Sequence, residues 1–183
     1  MDMTCLNEKY RTFVGFAVVL LLAGAVGADA ADDAMKYWPR WRGPLDSGVA
    51  PKGDPPTEWS ETKNIRWKTP IPGEGHSTPI VWGDYVFVTA AIPYGEKKLS
   101  NGPEIEGVHD YVPVTQALEF AVLAINRSNG KILWRKTVRK ALPHEGDHYT
   151  GTMASNSPVT DGKNVYAFFG SRGLHSLDFK GRT

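Results

Sequence analysis

The chain has 183 residues, with 21 lysines and arginines against 20 aspartates and glutamates, for a formal net charge of +1. That balance argues against nucleic acid as a partner, and the one local basic run, Arg135-Lys136 with Arg139-Lys140, reads as a solvated strand end. A single cysteine, Cys5, excludes an intramolecular disulfide, so stability must come from packing.

The N-terminus carries Lys9 and Arg11, followed by an apolar run over residues 13–27 and then Ala28-Asp29-Ala30. A charged start, a short apolar run and small residues at a cleavage site stand in the order of a secretory signal peptide. Residues 1–30 are therefore expected to be removed after Ala30, placing the protein in the periplasm or outside the cell. The run is shorter than the ~20 residues that span a bilayer, so no membrane span is expected after cleavage. An uncleaved N-terminal membrane anchor is the alternative. Cys5 would leave with the signal, and it precedes the apolar run, the wrong side for lipid attachment.

About 150 residues remain, enough for one domain. Helical periodicity is nearly absent. Short apolar runs rich in Val, Ile, Tyr and Phe are instead bounded by Gly, Pro, Asn and Asp, which predicts an all-β class. IVW and YVFVTA flank Gly83-Asp84, a two-residue hairpin loop. VLAI and KILWRKTV flank a turn containing Asn129-Gly130. SPVT and NVYAFFG flank Asp161-Gly162-Lys163, and LHSLD begins another strand.

Part of this pattern occurs twice. Pro79 falls on Pro158 and Gly83 on Gly162, at a constant offset of 79 residues. Each unit holds a hairpin headed by Ser/Thr-Pro, a third strand, a turn with Gly, and a strand bearing Trp. Trp67 closes one unit and Trp134 the next. Such periodicity marks a propeller or solenoid, whose units cannot bury their apolar faces alone. The spacing is wide because two stretches, 91–120 and 139–155, are enlarged.

The third-strand turn is specific. AINRSNGKILW, residues 124–134, resembles the tryptophan-docking motif A-x-D-x-x-T-G-x-x-x-W of PQQ-type (pyrroloquinoline quinone repeat) β-propellers. Ala124, Gly130 and Trp134 match in register, while Asn126 and Asn129 replace the Asp and Thr. Gly permits a left-handed turn, and small Ala leaves room for a neighbouring blade's indole to lie on the backbone. A second copy, SLDFKGRT, retains Asp178 and Gly181 but is one residue shorter between them. YWPRWRGPLDSG resembles the head segment of exported bacterial propellers of this kind.

The resemblance implies a partial β-propeller of four-stranded antiparallel blades. Residues 31–66 form the head leading into the first blade, and 67–183 form an incomplete propeller domain. A closed ring takes ~4–8 blades, and fewer than two complete ones are present. The remaining blades of the same propeller are thus expected beyond Thr183, beginning with a tryptophan near position 185.

Function is less legible. The quinone-dependent members imply a cofactor on the propeller axis, a Ca²⁺ held by oxygen ligands and a carboxylate base. The carboxylates Glu104, Glu106, Asp110, Glu119, Glu145 and Asp147 match no such motif, so no catalytic, cofactor-binding or metal-binding residue is assigned. PQQ with Ca²⁺, in a periplasmic oxidoreductase whose cofactor site lies mostly beyond Thr183, is the alternative. His144, Asp147 and His148 in HEGDH lack the helical context of a zinc protease motif and read as a polar loop. His76 is expected to brace a turn, and Trp38 and Trp41 to dock the head on an edge strand. The blade topology places His76, His109, His144 and His148 together on the end carrying the long loops, opposite Gly83 and Gly130. Long loops on a rigid sheet are where contacts to partners or ligands reside. The expected role is a binding or protein-interaction scaffold for an unidentified protein or small molecule. The closest analogy, at the level of fold, is the propeller lipoprotein of the outer-membrane protein assembly machinery.

Overall fold

Gly83, at φ 56°, turns the chain between β1 (Ile80–Trp82) and β2 (Tyr85–Tyr94). A computed structural model describes residues 33–97 and 111–183. Within them β3 covers Tyr111–Val112, β4 Ala117–Asn126, β5 Ile132–Ala141 and β6 Asp147–His148. β7 (Val159–Thr160), β8 (Asn164–Phe168) and β9 (Leu174–Asp178) follow, with a 3₁₀ turn at Gly170–Arg172 before β9. The strands form an antiparallel sheet in the order β1-β2-β4-β5, a second in the order β7-β8-β9, and a β3-β6 pair. The first sheet is the four-stranded unit expected from the sequence; the second repeats its first three strands.

The central strands of the first sheet are apolar on both faces. Phe87, Ala91, Phe120, Val122 and Ala124 pack with Val165, Ala167 and Leu177 of the second sheet and with Phe169, which follows β8. Val86, Val88, Ala90, Ala121, Leu123 and Ile125 form a separate cluster on the opposite face, with Trp67 against it. A sheet that must bury both faces is built for stacking between neighbours. Phe87 and Phe120, 0% and 1% exposed, each contribute ~1.5–3 kcal/mol by burial.

Two tryptophans hold successive units together by one device. The Asn126 carboxamide oxygen accepts the amides of Ser128 and Asn129 at 2.9 and 3.2 Å, and Asn129 Oδ1 accepts that of Lys131 at 3.0 Å. The substituted asparagines thus still build the turn. Gly130 at φ 74° leaves room for Trp67, whose Nε1 donates to the Arg127 carbonyl at 2.9 Å. In the second copy the Asp178 carboxylate accepts the amides of Lys180 and Arg182, both at 2.9 Å. Trp134 lies over Gly181 and donates to the Phe179 carbonyl at 2.8 Å. Both indoles bond the carbonyl that follows the Asn or Asp, so one residue fewer in the second turn leaves the docking site intact.

The inner edges of the sheets are stitched as well. The amide of Thr78 donates to Ser157 Oγ at 2.9 Å, across 79 residues, so equivalent positions of the two units touch. Buried Thr89 donates toward the Ala154 and Asn156 carbonyls at 3.4 and 3.3 Å. The head segment joins both edges. Trp38 exchanges backbone hydrogen bonds with Val81 of β1 at 3.0 and 2.8 Å, and the Pro39 carbonyl accepts the Thr160 amide of β7 at 3.0 Å. Trp38 therefore docks on an edge, as expected, whereas Trp41 is 63% exposed.

Three sequence expectations need correction. β2 runs to Tyr94, β4 starts at Ala117 and β5 continues to Ala141, so the enlarged stretches are shorter than 91–120 and 139–155. β-rich sequence simply extends the strands beyond the core. The two enlargements also pair with each other, Tyr111 with His148 and Val112 with Asp147. Trp67 docks as expected of a unit-closing tryptophan, yet among the described residues its segment is in no strand.

Candidate functional site

The two ends of the first sheet differ in kind. At one end sit the tight turns at Gly83 and at 126–130, joined by the Arg127 amide donating to the Asp84 carbonyl at 2.9 Å. At the other, where Tyr94 faces Ala117 and Leu118 faces Ala141, the chain leaves in long loops. Pro143, Gly146, Asp147 and Met153 of the following loop line a cleft with Pro93 and Leu118 at this end, while Ala154 and Asn156 run beside the middle of β2. The Arg172 guanidinium donates to the Leu142 carbonyl at 2.5 Å, clasping the loop to the second sheet. Ser155 Oγ closes a turn, accepting the Thr152 amide at 2.9 Å and donating to the Thr152 carbonyl at 2.8 Å.

Two clefts flank the folded loop and share Pro143, Gly146, Asp147 and Met153 as a wall. One, of about 160 Å³, lies against the first sheet, with Ala91, Pro93, Val114 and Leu118 as apolar floor and Glu74 at its rim. The other, of about 210 Å³, lies between the sheets and is lined by Asn156, Phe169, Ser171 and Arg172. Neither reaches the ~300 Å³ at which sites for drug-sized ligands begin. Glu74, Leu118, Met153 and Arg172 belong to no motif, so nothing in the sequence marked them; only their shared end of the sheet does.

The histidines are placed as follows. His144 lies in the loop after β5 and His148 in β6, both beyond the Ala141 end of the sheet. His76 lies between Glu74, which pairs with Ala91, and Ile80, which pairs with Phe87. It is exposed, and its backbone amide, not its ring, braces the loop by donating to Thr152 Oγ1 at 3.3 Å. That corrects the expectation of a side-chain brace. His109 lies outside the described residues. Among the described residues no three His, Cys, Asp or Glu side chains gather as metal ligands.

The ion pairs are structural. Glu119, on β4, meets Lys140 Nζ at 2.5 Å, Thr137 Oγ1 at 3.0 Å and Arg135 at 3.9 Å. The bond from Lys140 and then that from Thr137 hold its carboxyl below the usual range. Burial pushes Asp161 up, but the Asn164 and Lys163 amides and the Tyr166 hydroxyl outweigh it and lower its pKa. The Arg182 amide, and more weakly its guanidinium, lowers Asp178. These carboxylates anchor turns and an edge strand, and none of them lines either cleft.

No curated protein and no solved structure matches the chain. A family model does match, over residues 49–182, and its description is outer membrane protein assembly factor BamB. The match spans most of the chain, both stacked sheets and both tryptophan docks, which makes the sheets blades of a partial β-propeller. The chain belongs to this PQQ-repeat propeller family.

Proposed function

We propose that the protein is an exported PQQ-repeat propeller that serves as a binding or protein-interaction scaffold and engages its partner through the long-loop end. One observation carries this reading: the two enlarged loops pair as β3 and β6 over one end of the sheet, while the other end has only tight turns. Loops longer than chain connection requires, held on a rigid sheet, supply contact surface. The description of the matched family, an outer membrane protein assembly factor, supports a scaffold in the cell envelope. Export rests on the signal-like residues 1–30 and is tested by N-terminal sequencing of the secreted protein, expected to begin at Ala31.

The quinone reading fits the described residues poorly. A quinone with Ca²⁺ needs converging oxygen ligands and a cavity larger than either cleft. Among the described residues no three His, Cys, Asp or Glu side chains converge, and neither cleft reaches that size; a site for this group would lie mostly beyond Thr183. Scaffold function is tested with a photo-crosslinking residue at Leu142 or Tyr149, 60% and 64% exposed at the loop end, and at Ser128 on the opposite turn. Adducts in the envelope fraction from the loop positions alone, competed by unlabelled protein, support the reading. Adducts chiefly from Ser128 overturn it.

A further inference from the structure

We infer that the cleft of about 160 Å³ at the loop end seats one long cationic side chain, a lysine or arginine, of a protein partner. The inference rests on the loop end being the binding face. Its lining includes the apolar residues Pro93, Val114, Leu118 and Met153 and the acidic residues Glu74 and Asp147. Among the described residues no lysine or arginine lines it. Among the described residues neither carboxylate has an ion pair or side-chain hydrogen bond, whereas Asp33, Asp46, Glu58, Glu61, Glu119 and Asp178 are all paired with cations.

Solvated carboxylates on a surface are commonplace and need no ligand. Here Asp147 is half-buried, its backbone is held by the β3–β6 pairing, and it stands beside buried Pro143. An apolar floor with a charged rim is complementary to lysine and arginine, which lay an aliphatic stem on apolar surface and keep the charged head at its edge. The volume of about 160 Å³ suits one side chain.

The experiment is a methyl NMR titration of the full chain with N-butylguanidinium, a single cation on a four-carbon apolar stem, and with N-butylurea as its neutral counterpart. N-butylguanidinium is expected to shift the Val114, Leu118 and Met153 methyls, and Asp147→Asn to weaken it roughly tenfold, the scale of a charged hydrogen bond. Glu74→Gln is expected to weaken it as well, and salt near 1 M to abolish most of the remaining binding. N-butylurea is expected to leave the methyls unmoved. Absence of N-butylguanidinium shifts, equal binding of N-butylurea, or indifference to both substitutions overturns the cation seat. If Leu142 still crosslinks specifically in that case, only the seat fails; if the loop-end crosslinks are also absent, the scaffold reading fails with it.

Discussion

Replacing Gly130 with alanine isolates the cost of blocking a tryptophan dock. Gly130 sits at φ 74°, where a non-glycine residue costs ~1–2 kcal/mol. An added Cβ would also stand 2.7 Å from Cδ2 of Trp67, 2.8 Å from its Cε3 and 2.7 Å from Thr69 Oγ1. Trp67 cannot yield cheaply, because its Nε1 is bonded to the Arg127 carbonyl at 2.9 Å. Overpacking of this kind adds ~1–3 kcal/mol, for a total of about 2–5 kcal/mol. Gly83→Ala is the control: its φ is 56°, but nothing lies within 4 Å of the added Cβ, so only the backbone cost of ~1–2 kcal/mol applies. Urea unfolding followed by circular dichroism and tryptophan fluorescence reads both. With a slope of ~1–3 kcal/mol per molar, Gly130→Ala should lower the midpoint by on the order of 1 M or more, and clearly further than Gly83→Ala. Losses equal to within ~0.5 kcal/mol would refute the tryptophan dock as the reason for glycine at this position.

Other perturbations test the seams between blades and the edge of the first. Ser157→Ala removes the acceptor of the Thr78 amide at 2.9 Å, and should cost ~1–3 kcal/mol. Faster hydrogen exchange at Thr78 than at Phe87 is the specific readout. Glu119→Gln should destabilise at neutral pH. Because the folded pKa lies below the ordinary value of 4.5, the carboxylate's contribution is complete above the unfolded pKa and disappears as pH falls through the folded one. A wild-type-minus-variant difference that stays constant into acid would contradict this sign. Replacing exposed Arg135 and Arg139 of edge strand β5 by valine should promote self-association in light scattering, since edge charges block strand addition; an unchanged monomer would contradict the role given to them.

The sequence by itself determined the local chemistry. Gly83-Asp84, Asn126 to Gly130 and Asp161-Gly162-Lys163 prescribe their turns because positive φ and side-chain-to-amide hydrogen bonds act within a few residues. The same locality made Ala124, Gly130 and Trp134 readable as a docking motif, and the all-β class followed from alternation between those turns. Tertiary structure alone decided which groups meet. Trp134 finds Phe179 and Gly181, and Thr78 finds Ser157, because stacking aligns equivalent positions across one repeat. The pairing of β3 with β6 joins two loops whose sequences carry no mutual signal. Glu74 and Asp147 come to one cleft for the same reason: each is fixed by backbone pairing to a different strand, and only the sheet's geometry sets their separation.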